Sequence, residues 1–326
     1  MRAKYHLTLF AIAALLLIAL ACGESASDST ATPLPTVVPP ATATVVPTPT
    51  PEPTATPDPL AELFPVTVSD SREQTLTFDA PPERIVAFDS AVVEILFSIG
   101  EGHRVIGTHD FVTYPPEADD VPRLGSAFEM NIEQIVALKP DLVFIFSDGF
   151  LEDLERANLN VFYQKSLSND FRKVAENIRL WGNITGAVDR ADEVAEEFTA
   201  RVAALEKTLE AVDEGPVVFQ DEGGLWTPGP DTLIGEVFTL LKLRNLAHDI
   251  SGYVQMSPEV IVERDPDLVI VFDNDNFSTN DAFKDVTAVK ENRVLLPSSN
   301  ALRIAGPRFV AGMEEIAKWV YPDLFE

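Results

Sequence analysis

The chain has one cysteine, four histidines and only 24 basic residues against 52 acidic ones in 326 residues. Each shortage excludes a class of function. A single cysteine makes neither an intrachain disulfide nor a CxxC metal site. A formal charge of −28 repels phosphate backbones and anionic lipid headgroups, so nucleic acid is not an expected partner. No apolar run reaches the ~18 residues that span a bilayer. GxSxG, HExxH and a phosphate-cradling glycine loop are missing as well, and with them the common hydrolase, metalloprotease and nucleotide signatures. Once His6 leaves with the leader, His103, His109 and His248 remain, none paired at i,i+4, so no zinc or manganese site is expected. Neither is a cofactor.

What is present begins with a leader. Arg2 and Lys4 precede Leu7–Ala21, an apolar stretch of 15 residues, and small residues lead into Cys22. A positive start and an apolar region too short for a membrane helix describe a secretory signal over 1–21. The layout resembles a bacterial lipoprotein signal, which makes Cys22 the expected lipidation site and holds the protein to the membrane through acyl chains alone. Thr32–Pro59 then carries 10 Pro and 8 Thr in 28 residues. With few backbone donors and little to bury, it reads as an extended tether, part of an anchor segment over 22–62. Fully extended at ~3.1 Å per residue it reaches roughly 90 Å.

From Leu63 onward, with 46% apolar residues overall, there is material for a core. Phe64–Val68 and Thr75–Phe78 suggest a hairpin. Short apolar strands then alternate with helical patterns: strands at 84–88, 105–108, 142–146 and 161–163, helices at 91–99, 131–139 and 151–157. Such alternation predicts an α/β fold with mostly parallel sheets. Ala191, Val194, Ala195, Phe198, Val202, Leu205, Leu209 and Val212 recur at three- and four-residue steps. They predict one amphipathic helix of about 24 residues, ~36 Å long, within a connecting segment at 189–213. Alternation resumes beyond it, with strands at 217–220, 268–272 and 294–297 and helices at 231–241, 258–263 and 308–320.

An internal repeat gives these elements an organisation. Residues 130–146, MNIEQIVALKPDLVFIF, and 256–272, MSPEVIVERDPDLVIVF, are identical at 9 of 17 positions without a gap. Each copy reads as a capped helix, a Pro-Asp turn and a buried strand. The chain is therefore expected to form two similar α/β lobes, 63–188 and 214–326, joined by the long helix, with a cleft between them for a ligand. Asn131 and Ser257 read as N-caps. Glu133 and Glu259 fall in the first helical turns, where a carboxylate favours the positive end of the dipole. That role suffices for either glutamate alone, but it does not require the same acid at the same place in both lobes.

The segments PPERIVAFDSAVVEILFSIGEGHRVIGTHDFVTYPPEA (81–118), MNIEQIVALKPDLVFIF and MSPEVIVERDPDLVIVF resemble the substrate-binding proteins of iron-siderophore and vitamin B12 ABC importers. The resemblance implies a monomeric, extracytoplasmic receptor on the outer face of the cytoplasmic membrane. It implies no catalysis, and partnership with a permease dimer and its ATPase subunits. Glu133 and Glu259 become the glutamates that dock onto permease arginines. The cargo implied is a ferric siderophore, cobalamin or a heme-like ligand, gripped by Phe111, Tyr114, Phe128, Phe146, Trp226, Tyr253 and Arg303. Aromatic faces give such ligands a large contact area at little entropic cost. Trp226, in the loop-like WTPGPD, is hard to bury, and a lone Arg303 suits a weakly charged siderophore or a corrinoid better than an anionic catecholate. A surface-anchored two-lobed enzyme and a stalked interaction module remain the alternatives, because such lobes host many functions.

Overall fold

A computed structural model describes residues 59–325, apart from 127, 166–168 and 273–275. The leader, Cys22 and nearly all of the tether lie outside the described residues. The described chain opens with an antiparallel hairpin, β1 (Val66–Ser69) and β2 (Thr75–Phe78), pairing Val66 with Phe78. Asp70 closes its turn by accepting from the backbone N–H groups of Arg72 (2.8 Å) and Gln74 (3.0 Å).

The first lobe follows as β3 (Ile85–Phe88), α1 (Ser90–Ser98), β4 (Val105–Thr108), α2 (Ile132–Leu138), β5 (Leu142–Ile145), α3 (Leu151–Arg156) and β6 (Val161–Tyr163). The four strands form a parallel sheet in the order β4-β3-β5-β6. Strands covered on both faces need continuous apolar runs rather than alternation. IVAF in β3 and LVFI in β5 supply them, and every residue of both is buried. The N–H of Ser71 donates to the carbonyl of Tyr163, tying the hairpin to the end of β6.

Two packed helices leave this lobe. The first, α4 (Lys173–Thr185), is absent from the sequence-based expectation. Its Trp181 is fully buried, edge-on to Phe144 at 5.4 Å. The second, α5 (Val188–Thr208), is the expected connector, shorter at 21 residues because its last turn tightens into the 3₁₀ segment Leu209–Ala211. Its buried stripe is Ala191, Val194, Ala195, Phe198, Val202 and Leu205, as the spacing predicts. Gly182 lets the helices meet, for a Cβ there would sit 2.2 Å from that of Ala191.

The second lobe contains β7 (Val217–Asp221), β8 (Trp226–Pro228), α6 (Leu233–Leu240), β9 (Arg244–Asn245), β10 (Tyr253–Gln255), α7 (Pro258–Arg264), β11 (Leu268–Val271), α8 (Asn276–Thr279), α9 (Thr287–Lys290), β12 (Val294–Leu295) and α10 (Phe309–Val320). Its parallel sheet runs β12-β11-β7-β9, and β8 with β10 forms a separate antiparallel ribbon. Both sheets set their first strand between the second and the third, so the lobes share a topology as well as a motif. WTPGPD is thus not a loop throughout: Trp226–Pro228 pairs with Tyr253–Gln255.

The repeat explains itself at the level of bonds. Asn131 accepts from the N–H of Gln134 and Ser257 from that of Val260, each capping its helix. Lys139 (φ 49°) and Asp265 (φ 42°) end the helices in left-handed conformation. The Pro-Asp aspartate then fixes the lobe's first strand. Asp141 accepts from the N–H groups of Glu83 (2.7 Å) and Arg84 (3.0 Å), and Asp267 from that of Val217 (2.7 Å).

One apolar cluster runs through both lobes, from Ile85 and Phe144 past Phe198 and Val202 on α5 to Val218, Leu268 and Met313. A buried ion pair also crosses between them. Glu94 on α1, 2% exposed, accepts from Arg308 through its backbone N–H (2.7 Å) and Nε (3.0 Å). The Arg308 guanidinium lies 3.5 Å from the centre of the Tyr114 ring, and Asn300 donates to Thr113 at 3.0 Å.

Candidate functional site

The order β4-β3-β5-β6 makes a topological switch point between β3 and β5, where α/β sheets bind ligands beyond the strands' carboxyl ends. A cleft of about 520 Å³ opens there. The first lobe supplies Asp89 and Ser90 after β3, His109 after β4, Phe146 after β5, and Gln164 and Lys165 after β6, while Tyr253, Arg303 and Ile304 close it from the second lobe. An adjoining space of about 670 Å³ shares Arg303 and is lined by Phe111, Thr113, Tyr114, Asn300 and Arg308.

Local structure accounts for each polar group. Asp89 caps α1, accepting from Ala91 N–H (2.6 Å) and Val92 N–H (3.2 Å), and burial pushes its carboxyl above the ordinary range against those bonds. His109 accepts at Nδ1 from the Phe111 N–H (3.3 Å), so Nε2 carries the proton towards Ser90 Oγ, 3.1 Å away. Burial and then the Arg123 charge lower its pKa to about 4, so the imidazole is neutral at pH 7. Ser90 and His109 are consequently not a nucleophile and its base, because the ring's acceptor is already taken. Gln164 Nε2 donates to Asn177 Oδ1 at 3.0 Å. Among the described residues no cluster of His, Cys, Asp and Glu could hold a metal ion.

The aromatic expectations divide three ways. Phe146, Tyr253 and Arg303 meet in the first space, and Phe111 and Tyr114 in the second. One face of Tyr114 is taken up by Arg308. Phe128, 86% exposed, and Trp226 line neither space. Trp226 faces Gln255 across the ribbon and Tyr253 faces Pro228, so alternation puts Trp226 and Tyr253 on one ribbon face, with Tyr253 reaching the cleft. Arg303 is not a free cation. Its Nε lies 3.3 Å from a Glu222 carboxylate oxygen and its guanidinium 5.3 Å from the centre of the Phe272 ring. Ser90, His109, Gln164, Lys165 and Asn177 escaped the sequence reading. The signal for the first four lay in their position just after parallel strands.

Glu133 and Glu259 are both exposed at the starts of α2 and α7. Glu259 has its pKa lowered by its own N–H and then by the Ser257 hydroxyl. Among the described residues neither carboxylate has an ion-pair partner.

The model of the periplasmic binding protein family matches residues 85–300. YvrC of Bacillus subtilis, an uncharacterised ABC transporter substrate-binding lipoprotein, is 29% identical over 279 residues, 81% of this chain and 88% of its own. A cobalamin-binding protein of Halobacterium salinarum is 29% identical over 272 residues, 78% of this chain and 73% of that one. Among solved structures, an ABC-type Fe3+-hydroxamate transport protein of Saccharomonospora viridis superposes with a TM-score of 0.65 at 26% identity, over 78% of this chain and 99% of that one.

Proposed function

Because the chain belongs to the periplasmic binding protein family, we propose that it is the extracytoplasmic receptor of an ABC importer, carrying a cobalamin-type corrinoid between its lobes to a permease dimer powered by ATPase subunits. The observation that carries this cargo class is the charge balance of the cleft. Its cations are Lys165, Arg303 and, in the adjoining space, Arg308, against Asp89, Asp110, the Glu222 that faces Arg303 and the Glu94 that holds Arg308. The remaining polar wall is Ser90, neutral His109, Gln164 and Asn177. Such a wall offers hydrogen bonds without net charge, which suits the neutral carboxamides around a corrin ring and disfavours a highly anionic ferric catecholate. The two adjoining spaces together exceed a drug-sized pocket, as a macrocycle needs. The likeness to a named cobalamin-binding protein supports the same reading.

A ferric hydroxamate is the second reading, favoured by the Saccharomonospora structure. Cys22 carries the lipid anchor that keeps the monomer on the outer face of the cytoplasmic membrane. Glu133 and Glu259 meet one permease subunit each through cationic side chains. The test is a thermal-shift panel of cyanocobalamin, a ferric hydroxamate, a ferric catecholate and hemin. A corrinoid at 100 times its Kd adds about 2.7 kcal/mol to the stability of the native state. Stabilisation by a ferric ligand, and none by cyanocobalamin, refutes the corrinoid assignment.

A further inference from the structure

The repeat fixes an equivalence between the lobes that extends past its own span. Leu142 pairs with Ile85, and its counterpart Leu268 pairs with Val218, so Ala87 corresponds to Gln220 and Asp89 to Glu222. Ala87 and Gln220 are both 0% exposed. In the first lobe an alanine fills this place in the shared apolar cluster; in the second an amide lies there, directly across from Ile270. Gln220 Nε2 donates to Glu222 Oε1 at 2.5 Å, and among the described residues its own buried Oε1 has no partner. An unmet acceptor in a core costs stability, so the fold alone gives no reason for glutamine where alanine serves.

Glu222 also differs from its counterpart. Asp89 accepts from the N–H groups that open α1. No helix starts after Glu222, and the turn that follows it is held by Asp221, which accepts from the N–H groups of Gly223 and Leu225, both at 2.8 Å. The Glu222 carboxylate instead faces Arg303, with Oε2 3.3 Å from Nε, while the Phe272 ring lies 5.3 Å from the same guanidinium. Arg303 lines both spaces of the cleft; Glu222, its side chain 17% exposed, lines neither. We infer that Glu222, positioned by Gln220 from inside the sheet, determines the charge of the cargo that this receptor accepts, by offsetting Arg303 from behind the cleft wall. The inference rests on the importer reading above and names what sets the charge selectivity of its site. Discrimination is a difference of affinities, and a carboxylate behind Arg303 weakens binding of an anion while a neutral cargo keeps its hydrogen bonds. Gln220 is the positioning residue, because its amide holds the carboxylate that does the discriminating.

The experiment measures Kd for ferric enterobactin, a trianionic tricatecholate, and for an uncharged reference, whichever of cyanocobalamin and ferrichrome the wild type binds. Wild type, Glu222→Gln, Gln220→Leu and the double variant are compared at low and high NaCl, with melting temperature as the check on folding. Glu222→Gln should raise the affinity for enterobactin relative to the reference about tenfold at low salt, and less at high salt. Gln220→Leu should raise it about threefold, and should add nothing in the Glu222→Gln background, because it acts through that carboxylate. An unchanged ratio in Glu222→Gln overturns the inference. An unchanged ratio in Gln220→Leu, or an effect undiminished in the double variant, overturns the positioning role. A wild type that binds neither uncharged ligand refutes the proposed cargo instead; the variants are then compared on the enterobactin Kd alone, and the same outcomes decide the inference.

Discussion

Replacing Glu94 by alanine tests the tie between the lobes. The Glu94 side chain is 2% exposed and the Arg308 side chain 21%. The carboxylate takes the Arg308 backbone N–H at 2.7 Å, Nε at 3.0 Å and Nη2 at 3.0 Å. Burial nevertheless holds the Glu94 carboxyl above the ordinary range, so desolvation outweighs the pull of Arg308. Removing the acid strands a desolvated guanidinium, a change that costs about 3–5 kcal/mol for buried pairs. The lower end is expected, because Tyr114 at 3.5 Å and Asn300 at 3.3 Å still face the guanidinium. Since the intact pair bears so much desolvation, the double variant Glu94→Leu/Arg308→Met should recover most of the loss. Urea unfolding followed by tryptophan fluorescence measures both, because Trp181 is buried in the cluster that spans the lobes. A loss below about 1 kcal/mol for Glu94→Ala, as at an exposed pair, refutes the reasoning, as does a double variant no better than the sum of the singles.

Three further outcomes follow from the same geometry. Tyr253→Ala should weaken binding of the cargo found in the ligand panel by ~1–3 kcal/mol and Trp226→Ala by less, read by isothermal titration; the reverse order would move the cleft towards Trp226. His109 is 8% exposed with a pKa lowered from 6.5 to about 4, so between those values the unfolded chain binds the proton that the native one refuses. Stability therefore rises with pH through that window, by roughly 3 kcal/mol at most, and is lost as pH falls; His109→Gln should flatten the profile, and an unchanged profile would contradict a buried neutral imidazole. Cys22→Ser should move the protein from the membrane to the soluble fraction of a bacterial host, and an unaltered membrane fraction would remove the lipid anchor.

Much of the fold was legible because its strands carry their own signal. IVAF, LVFI and LVIV are apolar runs too short for helices, and the Pro-Asp turn before two of them marks a bond that each lobe needs. Helix α4 was not legible. Gly182 in its last turn lowers helix propensity, whereas its missing side chain is what admits Ala191 of α5. The β8–β10 ribbon was lost for another reason. Strands of three residues hold too little alternation to detect, and their pairing spans a long stretch of chain.

The site divides along a different line. The aromatic candidates were legible from their places in loops and at strand ends, and Phe146, Tyr253, Phe111 and Tyr114 line two adjoining spaces. The polar floor carried no such signal: Asp89 and Ser90 fall between an expected strand and an expected helix, and His109 is one of three unpaired histidines. Only the strand order brings the ends of β3, β4, β5 and β6 to one place, and strand order is a long-range property. Arg303 makes the point most sharply. In the sequence it is a lone cation that suits a weakly charged cargo; in the fold Glu222, just after β7, stands 3.3 Å from its Nε and offsets even that charge. The charge of the cleft is thus set by pairing across the second lobe and not by counting residues.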